Sequence, residues 1–101
     1  MQYSVSKNGT TVTANITGEL AFSVQQDFRA MLQEMTTAGG SKWILDLKAL
    51  TFIDSAGLGL LLRAKAGAEK SGAVAALRPP AGGQVADILE IAHFSQMFEF
   101  V

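Results

Sequence analysis

Asp54 and Ser55 are the residues of this chain whose types and position best suit a chemical role. They follow an apolar run, Trp43 to Leu47, after a short turn, and an apolar, helix-like segment begins directly after them. This order predicts that the Ser55 hydroxyl lies at or beside the first turn of a helix. Backbone N–H groups there lack intrahelical partners and the helix dipole favours negative charge, so a phosphate on Ser55 would be stabilised. A simpler role is also open, because Asp or Ser at this point can cap a helix for about 1 kcal/mol.

Residue types that support catalysis are sparse elsewhere. The chain has one histidine, His93, and no cysteine, so neither a disulfide nor a thiolate metal site can form. One histidine and scattered acids do not supply a nucleophile, a base and an orienting group. Gly57 and Gly59 lack the lysine and the longer glycine spacing of a phosphate-binding loop. We therefore predict no enzyme activity, no cofactor and no metal, and we expect His93 to end a helix, where its charged form would complement the dipole.

Three further residues each allow two interpretations. Asp46 is the only charged residue in its apolar run, and we expect it to accept hydrogen bonds from the loop at 51–55; direct contact with a partner is the alternative. Glu19 fits a structural role and a partner contact equally well. Leu60 would be a natural partner contact if it were exposed beside Ser55, whereas burial in the core is equally compatible with the pattern.

Length and composition indicate one small globular domain over residues 1–101. Apolar residues make up 49% of the 101 residues and charged residues 17%, which is typical of a folded chain. The net charge is −1 and no basic patch is visible, so nucleic acid and anionic membrane surfaces are not expected as partners. The apolar runs are too short to span a bilayer, and residues 1–5 do not resemble a signal peptide. We expect a soluble, cytoplasmic protein.

The first half of the chain predicts a hairpin and a helix. Two partly alternating runs, Tyr3 to Lys7 and Thr11 to Thr17, flank Asn8-Gly9, which is a strong hairpin signal. A connector at 18–22 leads to a helix from about Ser23 to Thr37. Ser23 and Gln26 have the spacing of a capping box, and Gly39-Gly40 ends the helix.

The second half predicts alternating strands and helices. Trp43 to Leu47 is apolar on both faces except at Asp46, as expected of a strand at the centre of a sheet. The following segments are a helix from about Ala56 to Lys70, a strand from Ala73 to Leu77, a helix from about Gly83 to Ala92 and an extended piece from Met97 to Val101.

This order of elements predicts an α/β fold. We expect a mixed sheet of about four to five strands, with an N-terminal hairpin and three main helices packed on the sheet. Sites in such folds tend to lie beyond the carboxyl ends of the strands. The Asp54-Ser55 turn follows the central strand directly, so it is expected at that edge.

Several segments, taken together, resemble the STAS domain of bacterial anti-sigma factor antagonists over nearly the whole chain. The most specific is Asp-Ser-x-Gly-Leu-Gly at 54–59, placed between an apolar strand and a helix. The supporting segments are Ile16 to Leu20, Ile44 to Leu47, Phe52-Ile53, and Ile88 to Ala92 with Phe94, Phe98 and Phe100. The chain is thereby identified as a single STAS domain, 1–101.

The resemblance implies a partner-switching regulator, not a catalyst. In that family the serine after the aspartate is phosphorylated by a serine kinase that is also an anti-sigma factor, which implies phosphorylation at Ser55. The dephosphorylated protein binds this kinase, the phosphorylated protein is released, and a serine phosphatase restores binding. The expected partner surface comprises Glu19, Asp54, Ser55, Ala56, Gly57, Leu58 and Leu60, with Asp46 and Gly59 as structural support. We expect a monomer when the protein is free.

The chain departs from the family pattern in places, and a second function stays open. Ala21 occupies the place of a common aspartate, Ala56 that of a common Ser or Thr, and His93 that of a common glycine. Relatives often carry one more helix after the position of Val101. The alternative is a constitutive STAS-type adaptor subunit that docks on a transporter ATPase without phosphorylation, with Ser55 acting only as a cap.

Overall fold

Six β-strands and three α-helices make up the computed structural model, which describes residues 1–101. The strands are β1 (Gln2–Asn8), β2 (Thr11–Leu20), β3 (Lys42–Asp46), β4 (Leu50–Ile53), β5 (Val74–Arg78) and β6 (Glu99–Phe100). The helices are α1 (Gln25–Ala38), α2 (Ser55–Lys70) and α3 (Gln84–Ile91), with short 3-10 turns at Phe22–Val24 and Phe94–Gln96. None of the three helices combines the length and the apolar character that crossing a membrane requires.

The strands form one mixed sheet in the order β1-β2-β3-β5-β6, and β4 pairs with β2 outside this path. β1 and β2 form the antiparallel hairpin, with Gly9 at a φ of 63° in its turn. All other neighbours are parallel. The predicted fold class is confirmed, with six strands in place of four or five. β3 lies between β2 and β5, which confirms the central position expected for the run from Trp43.

The core lies between the sheet and helices α1 and α2. Alternate residues of β2, Val12, Ala14 and Ile16, are buried, whereas Asn15 and Thr17 on the other face are exposed. Helix α1 packs on β1 and β2, and α2 packs on α1, β4 and β5. The largest fully buried side chains include Trp43, Phe28, Ile16, Leu20, Met31, Met35, Leu45, Leu61 and Leu77. Burial of this apolar surface is the main force that fixes the helices on the sheet.

Two local predictions are wrong. The capping box is absent, because α1 begins at Gln25 after a 3-10 turn and its N-cap residue, Val24, makes no side-chain cap. The connector predicted at 18–22 is shorter than expected, because β2 continues to Leu20. There β2 pairs with β4, a segment that the sequence predicted to be part of a turn. The register of this pairing shifts between Gly18 and Glu19, and Gly18 has a φ of 84°, so a bulge lets β2 bend and meet β4.

His93 ends helix α3, as predicted, and it does so in a costly conformation. It is the only residue other than glycine with positive φ, at 58°, and its N–H donates to the Glu90 carbonyl at 3.0 Å. Glycine commonly occupies this position, and a side chain there costs about 1–2 kcal/mol. We expect His93→Gly to stabilise the protein by about 1 kcal/mol, which thermal unfolding would register as a rise of about 4–8 °C. His93→Ala is the control: it keeps the Cβ and should gain little, so equal gains would contradict this account.

Candidate functional site

The site lies where β2 and β4 end side by side. These strands run parallel, with Leu20 paired to Ile53, so the residues that follow each strand emerge at the same edge of the sheet. The Asp54 N–H donates to the Leu20 carbonyl at 3.3 Å and continues the pairing by one residue. Phe22 and Ser55 therefore lie at the same edge, beyond the carboxyl ends of both strands. The turn lies at the carboxyl edge, as predicted, but it follows β4 and not, as was expected, the central strand β3.

Asp54 caps helix α2 and also holds the neighbouring turn. Its Oδ1 accepts a hydrogen bond from the Gly57 N–H at 2.8 Å, which is the geometry of an N-cap. Its Oδ2 accepts from the Phe22 N–H at 3.4 Å. The sequence did not decide whether Asp54 or Ser55 caps the helix, and in the structure the cap is Asp54. Its half-buried carboxylate joins the start of α2 to the end of β2.

Ser55 is the first residue of α2 and has a free hydroxyl. The side chain is exposed and its Oγ takes part in no hydrogen bond. The N–H groups of Ser55 and Ala56 have no carbonyl partner, as expected of a first helical turn. An anion attached to Ser55 would lie next to these donors and at the positive end of the helix dipole. The geometry is therefore suited to hold a phosphate.

The two glycines of the motif have different surroundings. A Cβ on Gly57 would lie 2.1 Å from the Leu20 carbonyl oxygen and 2.7 Å from Cγ1 of Ile53, so only glycine lets α2 begin this close to the strand ends. A Cβ on Gly59 would meet nothing within 4 Å. The structural support expected from Gly59 comes from Gly57 instead. Gly59 is exposed on the helix surface one turn after Ser55.

The exposed apolar residues near this edge differ from those expected. Leu60 is only 4% exposed and belongs to the core, so it is not available as a partner contact. Leu62, seven residues after Ser55 and hence on the same helix face, is 40% exposed. Phe22 is 72% exposed and Phe52 is 39% exposed. No sequence signal showed that Phe22 and Phe52 are exposed, because a phenylalanine on the surface cannot be told from a core residue until its neighbours are known.

The remaining predicted surface residues divide by burial. Glu19 is exposed and lies opposite Phe52 on the neighbouring strand. Ala56 and Leu58 are half-buried, whereas Gly57 is buried and contributes to packing only. The exposed part of the predicted set is thus Glu19 and Ser55, with Ala56 and Leu58 partly accessible.

Asp46 does not bind the loop at 51–55 as expected. Its Oδ1 accepts from the Lys48 N–H at 3.0 Å, and its Oδ2 pairs with Nη1 of Arg78 at 3.1 Å. Asp46 and Arg78 are neighbours across β3 and β5, so the carboxylate is neutralised by the next strand. A buried carboxylate requires such a partner. The physical role of Asp46 is to close the turn after β3.

Gln84 supports the site and was not predicted. Its Oε1 accepts from the Ile53 N–H at 3.0 Å, and its Nε2 donates to the Ile53 carbonyl at 2.8 Å. The side-chain amide thereby pairs with the last residue of β4 as a neighbouring strand would. β4 is held by β2 along one side and by Gln84 at its end, which fixes the residue directly before the Asp54-Ser55 turn.

These features define a small α/β domain that presents a serine at the start of a helix, beside exposed aromatic side chains, at the carboxyl edge of its sheet. No three His, Asp or Glu side chains lie close enough together to hold a metal ion.

The chain belongs to the STAS domain family: the family model described as "Mlab, STAS domain" matches residues 3–99. The predicted membership is confirmed, and domains of this family are typically regulatory and non-enzymatic. The STAS-domain containing protein PA14_20770 of Pseudomonas aeruginosa (strain UCBPP-PA14) is 34% identical over 96 residues, which cover 93% of this chain and 91% of that protein.

Solved structures share the fold at low sequence identity. The anti-sigma factor antagonist SpoIIAA in its unphosphorylated form matches with a TM-score of 0.67 at 22% identity, covering 92% of this chain and 83% of that one. The phosphorylated form of SpoIIAA from Bacillus matches with a TM-score of 0.69 at 20% identity, covering 99% and 91%. A sulfate transporter family protein from Wolinella succinogenes matches with a TM-score of 0.74 at 18% identity, covering 92% and 78%.

Proposed function

We propose that this protein is an anti-sigma factor antagonist-like partner-switching regulator controlled by phosphorylation of Ser55. In this proposal the dephosphorylated form binds a serine kinase that is also an anti-sigma factor, phosphorylation releases it, and a serine phosphatase restores binding. The observation that carries the proposal is the exposed Ser55 hydroxyl without a hydrogen bond, at a helix start whose cap is already supplied by Asp54. Such a regulator would act on transcription in the bacterial cytoplasm.

The expected switch is local. Phosphorylation adds about −1.5 to −2 charges. The unpaired N–H groups of the first turn can bind the new phosphate, so the fold should persist. The phosphate would, however, lie next to the Asp54 carboxylate, which cannot move away because it bonds the N–H groups of Gly57 and Phe22. The added bulk and charge are therefore directed outward, onto any partner docked at this edge.

The exposed residues around Ser55 suggest how a partner is held. Phe22, Phe52 and Leu62 offer apolar surface, and aromatic side chains are frequent anchors of protein interfaces. Glu19 adds a negative charge opposite Phe52. A kinase docked on this surface would bring its active site to Ser55, so the same contact would serve both binding and phosphorylation.

A second candidate is the constitutive adaptor that docks on a transporter ATPase. The observation that keeps it open is that the same fold occurs in a sulfate transporter family protein from Wolinella succinogenes. In that case Ser55 would stay unmodified. The assignment of the cap to Asp54 removes the simplest reason for a serine at position 55 under this alternative, so we rank it second.

Intact-mass spectrometry of the protein from its native host, with and without phosphatase treatment, tests the proposal directly. We expect a phosphatase-sensitive gain of one phosphate, which peptide mapping places on Ser55. A chain that stays unmodified across growth conditions, and that co-purifies with an ATPase whether or not Ser55 is replaced by alanine, would support the adaptor instead.

Binding of the variants gives the second test. We expect Ser55→Ala to keep the fold and bind the kinase constitutively, and Ser55→Asp to bind at least about tenfold more weakly, or 1.4 kcal/mol. The kinase recovered with the Ser55→Ala protein would be titrated calorimetrically against both variants. Ser71→Asp, an exposed serine at the other end of α2, is the matched control and should bind normally. Equal affinities of Ser55→Ala and Ser55→Asp would refute the switch.

A further inference from the structure

Strand β1 is a long, regular edge of the sheet, and most of its length lacks features that protect against further pairing. It pairs with β2 over all of Gln2–Asn8 without a bulge, and no strand lies on its other side. In an antiparallel pair every second residue directs its N–H and C=O away from its neighbour, so β1 presents a row of free backbone groups. Native edge strands usually carry proline, bulges or charged residues, especially lysine, that prevent further pairing. β1 has one such residue, Lys7 near its end, and Gln2–Ser6 have none. The opposite edge, β6, is only two residues long.

A shallow groove runs along this edge between β1 and helix α1. Tyr3 and Val5 are half-buried on the α1 side of the strand, whereas Ser4 on the other face is exposed. The groove is lined by Val5, Ala30, Gln33, Glu34, Thr37 and Ala38. An added strand would therefore gain backbone hydrogen bonds, apolar contacts with Val5, Ala30 and Ala38, and polar contacts with the remaining residues of the groove.

We propose that two copies of this chain pair antiparallel through β1, about a two-fold axis at Val5, and join their six-stranded sheets into one. This departs from the free monomer expected from the sequence, because the exposed edge becomes visible only in three dimensions. A two-fold interface uses the same surface on both copies, so that surface must be self-complementary.

Charge supports a second copy as the occupant. With Val5 opposite Val5, the antiparallel register places Lys7 of one copy opposite Tyr3 of the other. Glu34 lines the groove together with Val5, and its carboxylate lies close enough to Tyr3 to raise the pKa of the Tyr3 hydroxyl. Lys7 of each copy thus meets Glu34 of the other, and the contact occurs twice.

The spacing of the helices also fits. Helix α1 packs on both β1 and β2, so it lies above the boundary between them. Pairing of the two β1 strands would place the α1 helices about two strand spacings apart, or roughly 10 Å. Helices pack at 8–10 Å where the side chains between them are small. Ala30 and Thr37 are exposed on this side of α1 and leave room for the longer Gln33 and Glu34 side chains, which line the same groove.

Sedimentation velocity and disulfide trapping test the dimer on the full chain. We expect a monomer–dimer equilibrium that shifts with concentration, and a sedimenting species that stays monomeric up to millimolar concentration would overturn the proposal. The chain has no cysteine, so Val5→Cys introduces a unique thiol that should cross-link to a covalent dimer on mild oxidation. Ser4→Cys is the control: it faces the other side and lies opposite Ser6, so it should cross-link poorly. Equal cross-linking of both would also overturn the proposed register.

Charge reversal distinguishes the specific Lys7–Glu34 contact from nonspecific association. We expect Lys7→Glu and Glu34→Lys each to weaken dimerisation at least tenfold, because they place like charges together, and the double variant to restore it. Circular dichroism checks that each single variant keeps its melting temperature. If the single variants dimerise more weakly and the folded double variant does not regain dimerisation, the proposed pairing is contradicted. These results are independent of the state of Ser55, which belongs to no element of this interface.

Discussion

Replacement of Gly57 by alanine is expected to destabilise the protein severely. The added Cβ would lie 2.1 Å from the Leu20 carbonyl oxygen and 2.9 Å from the Leu20 carbonyl carbon. Both atoms are backbone, so no side-chain rotation can relieve the clash, and α2 must move away from the end of β2. That movement would break the Asp54 N–H bond to Leu20 and disturb the cap on α2. We expect a loss of about 3 kcal/mol or more in the free energy of unfolding.

Gly59→Ala is the matched control in the same helix. Its Cβ would enter open space, and alanine is favoured over glycine inside a helix by about 0.5–1 kcal/mol. Thermal and urea unfolding should therefore show Gly57→Ala strongly destabilised and Gly59→Ala slightly stabilised. If both substitutions changed the free energy of unfolding in the same direction, the close approach of α2 to β2 would not be the reason for glycine at position 57.

The sequence predicted the elements whose signal is local. The hairpin, the three helices and the central strand each have a periodic or turn pattern within a few residues, and all of them are present. Strand β4 was missed because Leu50–Ile53 is short and becomes a strand through its pairing with Gly18–Leu20, about thirty residues away. The capping box at Ser23 failed because a 3-10 turn at Phe22–Val24 precedes the helix.

For the site, too, the sequence predicted the features that have a local signal and missed those that depend on distant residues. The start of α2 after Asp54 was located correctly because a linear motif carries it, but the strand before it was not, because β4 has no local signal. The partner of Asp46 was not, because Arg78 reaches it only through the pairing of β3 with β5. The link from Gln84 to Ile53 likewise depends on the packing of α3 against β4. Side-chain contacts between elements distant in sequence leave no local pattern to detect.

Leu60 and Leu62 show that the sequence also does not identify the buried residues within one helix. The start of α2 is apolar nearly all round, so its sequence does not identify the buried face. The structure places Leu60 in the core, in the same cluster as Leu61 and Ile53, and leaves Leu62 partly exposed. Of the two interpretations left open for Leu60, burial in the core is therefore the correct one.

Leu60→Ala is expected to cost about 2–5 kcal/mol in the free energy of unfolding, because it removes buried methyl groups and leaves a cavity. Leu60 is 4% exposed and the surrounding core is closely packed, so little collapse can offset the loss. For a domain of this size each kcal/mol lowers the melting temperature by about 4–8 °C, so the shift should exceed about 8 °C. Thermal unfolding followed by circular dichroism measures it.

Leu62→Ala supplies the contrast that assigns the two roles. Leu62 is 40% exposed, so its truncation should change the melting temperature little. It shares a helix face with Ser55, seven residues earlier, and under the proposed function it should contact the kinase. We therefore expect Leu62→Ala to weaken kinase binding in the calorimetric titration while its stability is kept. A stable Leu60→Ala protein with impaired binding would restore the assignment made from the sequence, because only an exposed Leu60 could produce that combination.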